Sequence, residues 1–188
     1  MNQLHLAPKP PNLGSVSPIA IDDPCLDAYQ RELDYLMRTL QRLGVASGDV
    51  EDLAHEVFLV LRRTWDEFDP SRPLKPYLFG IAFRVAASHR RRHWREVPFA
   101  VVDALDHAPY PDQAFETNYA RALVLAALQR IPLPRRVVLV MHDLDEVPVQ
   151  DVATTLSIPL FTAYSRLRKA RHELAAAVTS MQKRSAIR

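Results

Sequence analysis

In VQDVATTLSIPLFTAYSRLRKARHEL, residues 149–174, apolar side chains recur at three- and four-residue steps on both sides of a Ser157-Ile158-Pro159 break. Val149, Val152, Ala153 and Leu156 form one stripe. Leu160, Ala163, Leu167, Ala170 and Leu174 form another, so the segment reads as helix, tight turn, helix. Ala153 is small enough to let the two helices approach, Ile158 plugs the turn, and Leu167 returns to the core. Ser157 stands where glycine would turn more easily. The other face of the second helix presents Thr162, Tyr164, Ser165, Arg166, Arg168, Lys169 and Arg171. Hydroxyls and guanidinium groups are what base edges and phosphates require. In a helix-turn-helix the first helix braces the second, which lies in the major groove. The competing reading is a solvated helical hairpin with a basic face.

Helical spacing continues upstream. Ala122, Leu123, Ala126 and Leu128 give a helix that stops before Pro132, and Pro134 opens another with Val137, Val138, Val140 and Met141. Nearer the N-terminus, Leu26, Tyr29, Leu33, Leu36, Leu40 and Leu43 predict one amphipathic helix from Cys25, ended by a left-handed Gly44. A second helix follows Asp49, read as its capping carboxylate. Leu53, Val57, Leu61 and Trp65 face inward there, and Glu51, Asp52 and Glu56 form an acidic outer face. After the turn at Asp69-Pro70-Ser71 and Arg72-Pro73, Pro76 suits the first turn of a third helix. That helix carries Leu78, Ile81, Ala82 and Val85 inward and runs into Arg90, Arg91, Arg92 and Arg95. Between them, periodicity fails from Glu96 to about Thr117, where prolines mix with Asp103, Asp106, Asp112 and Glu116. The expected architecture is all-α: two small helical domains joined by a flexible acidic linker, the second containing the helix-turn-helix. The bounds are a disordered, proline-rich leader over 1–24, units at 25–95 and 118–176, a linker at 96–117, and a basic tail at 177–188.

Composition narrows the function. With 24 Lys+Arg against 22 Asp+Glu, the net charge is only +2, so nucleic-acid binding must come from segregated patches. The lone cysteine, Cys25, excludes an intrachain disulfide and a multi-cysteine zinc site, and it suits a reducing cytosol. No apolar run approaches the roughly 20 residues of a membrane span, and no secretory signal is evident. With only 4 glycines, glycine-rich phosphate loops are absent, and no cofactor is expected.

A second basic patch lies in Arg90-Arg91-Arg92-His93-Trp94-Arg95. It reads either as a helix end whose cations complement the dipole or as a phosphate-contacting surface, with an aromatic that can stack on an unpaired base. Phe79 and Phe83, upstream on the same helix, read as core. His89 and His93 have the spacing of two metal ligands on one helix face. No third ligand is evident and the arginines would repel a cation, so no metal site is expected. Asp143, Asp145 and Glu146 read as solvated surface. No Ser-His-Asp or Cys-His order makes a nucleophilic site, so the chain is not read as an enzyme.

Over residues 25–175 the order of these motifs resembles the extracytoplasmic-function group of the sigma-70 family. Asp49-Val50-Glu51-Asp52-Leu53-Ala54-His55-Glu56-Val57-Phe58-Leu59 is similar to the family's acidic polymerase-binding helix. Phe68-Asp69-Pro70 through Tyr77-Leu78-Phe79-Gly80-Ile81-Ala82 looks like its promoter-melting segment, and the arginine run falls where members read the downstream element. Leu128 to Val140, with Ile131-Pro132 and Arg135-Arg136, is similar to the helix before the reading unit. Ile158 to Thr162, Ser165-Arg166-Leu167 and Ala170-Arg171 resemble the recognition helix. The resemblance departs at Arg84, where many members have an asparagine that helps hold a flipped base. Tyr77 replaces a common tryptophan, Ser88 a common aspartate, and Tyr164 a common basic residue. These changes bear on which promoter is read.

What the resemblance implies is a cytoplasmic initiation factor that binds core RNA polymerase and promoter DNA, reading the −10 and −35 elements. Glu51, Asp52 and Glu56 would contact polymerase. Tyr77, Arg84, Arg90, Arg91, Arg92 and Trp94 would contact DNA in the first unit, and the polar face of the last helix would contact it in the second. Many members are held inactive by an anti-sigma protein, but no contact surface for one is legible here. Three other readings fit less of the chain. A repressor or activator needs a dimerising or ligand-sensing domain, a nucleic-acid-modifying enzyme needs a catalytic cluster, and a helical adaptor leaves both arginine faces unexplained.

Overall fold

The computed structural model describes residues 23–96 and 113–185, apart from the side chains at 93–96, 113–118 and 184–185. Residues 1–22 of the leader expected over 1–24, and most of the linker, lie outside the described residues. Among those described, every regular element is helical, as the 3.6-residue periodicity requires.

The first unit differs from expectation at its start. Instead of one helix there are two, α1 (Pro24–Arg31) and α2 (Leu33–Leu43), broken at Glu32 with φ −103° and ψ 6°. Asp23 caps α1 by accepting from the amides of Cys25 and Leu26 at 3.2 and 3.4 Å. The break has a packing cause. α1 leans on α3 (Val50–Arg63), where the Tyr29 hydroxyl donates to the Ala54 carbonyl at 3.0 Å and its ring lies 4.8 Å from Phe58. α2 instead lies among α3, α4 (Leu74–Glu96) and α5 (Gln113–Gln129), with Leu36, Leu40 and Leu43 buried. Gly44 takes the expected left-handed conformation at φ 97°.

Two local expectations are corrected. Asp49 makes no side-chain cap; its carboxylate faces His89 Nε2 at 3.3 Å, tying the start of α3 to α4. Trp65 packs against the core as expected, half-buried, but from beyond α3 rather than on it. That helix ends at Arg63, and Trp65 lies in a following turn, 5.4 Å from Phe68. Leu53, Val57 and Leu61 are buried as expected, as are Leu78, Ile81, Ala82 and Val85 on α4.

In the second unit α5 begins at Gln113, inside the stretch read as linker, and packs on α8 (Leu160–Ser185), which also seats α6 (Leu133–Leu139) and α7 (Val149–Thr155). After α6 the chain widens into one π-type turn, Val140–Leu144, which sets Asp143 and Asp145 on different sides of the unit. α8 runs through much of the segment read as a tail. The turn between α7 and α8 places Ser157 at φ 52°, the strained position expected for glycine, and the Ile158 amide closes it on the Ala153 carbonyl at 2.9 Å. Leu160 was expected inward but is 40% exposed.

The two units are packed together, which their separate periodicities do not reveal. Their buried residues form one cluster. The Tyr35 hydroxyl donates to Asp145 at 2.8 Å and Arg42 donates to the same carboxylate at 2.9 Å. Gly80 of α4 lets α7 approach, since a Cβ there would sit 3.1 Å from Thr155 Cγ2.

Candidate functional site

Three charged surfaces and one buried guanidinium carry the chemistry. The first surface is the outer side of α3. Glu51 and Asp52 are exposed over the buried Leu53, Ala54 and Val57, and both sit in the first turn, where the helix dipole favours anions. Glu56 is not simply part of an open acidic face. It accepts from Arg92 Nη2 at 3.2 and 3.3 Å, so the acidic helix and the basic end of α4 meet in an exposed ion pair. Such pairs are worth ~0–1 kcal/mol and yield readily to a partner.

The second surface is α4. Arg90, Arg91 and Arg92 are exposed and consecutive, so they fan around the helix rather than share one direction. Trp94 lies on the helix backbone, but its side chain is outside the described residues. Tyr77 is half-buried in an aromatic cluster: its ring lies 5.2 Å from Phe68, and its hydroxyl donates to Thr64 Oγ1 at 2.8 Å. Arg84 is exposed, with its guanidinium beside Gly80 at the edge of the contact with α7.

The third surface is α8. At 100° per residue, Phe161, Tyr164, Ser165 and Arg168 fall on one stripe, opposite the buried Ala163, Leu167 and Ala170. Lys169 flanks the stripe and is exposed, whereas Ser165 on the stripe and Thr162 and Arg166 beside it are half-buried. Arg171 is held elsewhere. Its guanidinium grips Asp143 through bonds of 2.9 and 2.6 Å, and this holds the Asp143 carboxyl below its ordinary range. The sequence reading missed Phe161, which is 82% exposed. The available signal was a large aromatic off the inward stripe of an otherwise polar face.

Arg136 was noticed only as part of a motif. It is 2% exposed, and its five N–H donors go to the carbonyls of Leu43, Gln129 and Ile131 and the Gln129 side chain. Burial pushes this guanidinium down to about 10, with the Arg90 charge acting in the same direction; it stays cationic at neutral pH. The Leu43 carbonyl is one of the free acceptors at the end of α2, so Arg136 joins the units by capping a helix across their boundary. A Cβ at Gly44 would run into that guanidinium. Asp145, read as solvated surface, is in fact largely buried at the same boundary. Burial raises its carboxyl above the ordinary value, against the opposing pull of Tyr35 and Arg42.

Comparison with known proteins matches both units. The family model for Sigma-70 region 2 covers residues 28–96, and that for Sigma-70, region 4 covers residues 121–174. The ECF RNA polymerase sigma-E factor of Escherichia coli K12 is 24% identical over 141 residues, 69% of this chain and 74% of the relative. The RNA polymerase sigma factor NccH of Alcaligenes xylosoxydans is 25% identical over 159 residues, 81% of this chain and 86% of that one. The solved sigma factor RpoE of Bartonella quintana, in complex with the anti-sigma factor NepR, has the same fold, with a TM-score of 0.66 at 22% identity over 81% of this chain and 97% of that one. CnrH, solved in complex with the cytosolic domain of CnrY, gives 0.60 at 20% identity over 83% and 88%.

Proposed function

Since this chain belongs to the sigma-70 family, in its extracytoplasmic-function group, and binds core RNA polymerase and promoter DNA to direct promoter-specific initiation, we propose that it divides those tasks among its three charged surfaces. Glu51, Asp52 and Glu56 on α3 dock on polymerase. Arg90, Arg91, Arg92 and Trp94, with Tyr77 and Arg84, handle the downstream element in the first unit. Thr162, Tyr164, Ser165, Arg166, Arg168 and Lys169 read the upstream duplex, and Arg171 braces α8 through Asp143. Sigma factors are non-enzymatic initiation factors, and the chain is read as acting through binding alone, in the cytoplasm, where polymerase is. No described helix is long and apolar enough to cross a membrane. An anti-sigma factor is proposed as a further partner, on the strength of the Bartonella relative captured with one.

The observation that carries this division is the segregation of charge over buried apolar residues. Acids project from α3 above Leu53 and Val57, and cations project from α8 above Ala163 and Leu167. Reversing Glu51 and Asp52 to lysine tests the docking face without disturbing the Glu56–Arg92 pair. Polymerase affinity should fall by far more than the stability of the isolated chain, which loses about 1–2 kcal/mol when two first-turn anions become cations. Undiminished polymerase binding by the double variant would end the assignment of α3.

A further inference from the structure

On the reading that α8 lies in the upstream major groove, we infer that Phe161 is an additional specificity residue, one that recognises the 5-methyl groups of thymine. Phe161 is the second residue of α8 and is 82% exposed, the most exposed large apolar side chain among those described. Leaving an aromatic ring in water forgoes a stabilisation that any apolar partner would supply. The ring also has apolar neighbours on the same end of the helix, Leu160 at 40% and Tyr164 at 53% exposure.

The occupant follows from what surrounds this apolar patch. It shares its stripe with Ser165 and Arg168 and is flanked by Lys169. A cationic, hydroxyl-bearing border complements a phosphate-lined groove rather than an apolar protein face. The first turn of a recognition helix is the part that meets base edges. In the major groove the one apolar group offered by the bases is the thymine methyl, and phenylalanine is among the side chains that contact it. Phe161 therefore supplies selection for thymine, where Ser165 and Arg168 supply hydrogen-bonded selection.

The experiment uses the full chain bound to core polymerase. Wild-type holoenzyme first selects its preferred upstream duplex from a random-sequence pool. Each thymine of that duplex is then replaced by deoxyuridine, which removes only the methyl. Burying one such group corresponds to about fourfold in affinity. Wild type should lose about that factor at one or two thymines. Phe161→Ala should bind the thymine duplex about as weakly as wild type binds the deoxyuridine one, and should no longer distinguish the two. Phe161→Leu should restore part of the difference. Unchanged thermal melting checks that the exposed substitution leaves the fold intact. The inference is overturned if wild type ignores every thymine-to-deoxyuridine exchange, or if Phe161→Ala keeps the full discrimination. Should Arg168→Ala and Ser165→Ala still relax base preference in that case, groove reading by α8 stands and only the methyl contact falls. If selection yields no preferred upstream sequence, the groove assignment itself fails and takes the inference with it.

Discussion

Replacing Arg136 by methionine keeps most of the apolar stem and removes the charge and all five donors. Two buried backbone carbonyls, on Leu43 and Ile131, then lose their partner, while the carbonyl and side chain of the exposed Gln129 can turn to solvent. Each buried acceptor left unpaired costs ~1–3 kcal/mol. Relief from burying a cation offsets part of this. Taking the low end for each of the two buried carbonyls, the net loss is about 2 kcal/mol. For a chain of this size that corresponds to a fall in Tm of about 4–8 °C. Arg136→Lys should also be destabilised, because an ammonium has three donors in place of the planar fork. Calorimetric melting of the free chain measures the loss, and hydrogen exchange locates it. Exchange should quicken in α6 and at the C-terminal end of α2, on both sides of the unit boundary. If Arg136→Met melts within a degree or two of wild type, the hydrogen-bonded network does not hold the units together and the reasoning fails.

The two basic faces should respond differently to salt. Arg91→Ala should weaken binding on all promoter variants alike and lower the salt slope by about one, whereas Arg168→Ala should relax preference at one upstream position by roughly 1–3 kcal/mol. Affinities on single-base variants at two salt concentrations separate them, and a uniform loss for Arg168→Ala would remove base reading from α8. Asp145 predicts a pH effect: its carboxyl is raised in the folded chain, so the folded state takes up a proton before the unfolded state does. The stability of wild type relative to Asp145→Asn should therefore grow as pH falls through the folded value towards 3.8, the ordinary one, and the opposite slope in paired thermal melts would refute the buried placement.

Local sequence was enough wherever one helix faces one core. The buried stripes of α3 and α4, the left-handed Gly44 and the strained Ser157 were all legible, because spacing and side-chain size act within a few residues. It misled where a second surface intervened. The break at Glu32 follows from α1 and α2 having different neighbours, and Asp49 left its capping role for His89, a partner 40 positions away in the chain. Glu56, Arg171 and Asp145 read equally well as free surface charge until partners on other elements were placed beside them. By itself the sequence determined an all-helical chain with a helix-turn-helix, a charged division of faces and a family. Only the tertiary structure decided which charges are already paired, that Phe161 is left in solvent, and that Arg136 and Asp145 hold the two units together. Periodicity records which side of a helix is buried, but not what it is buried against.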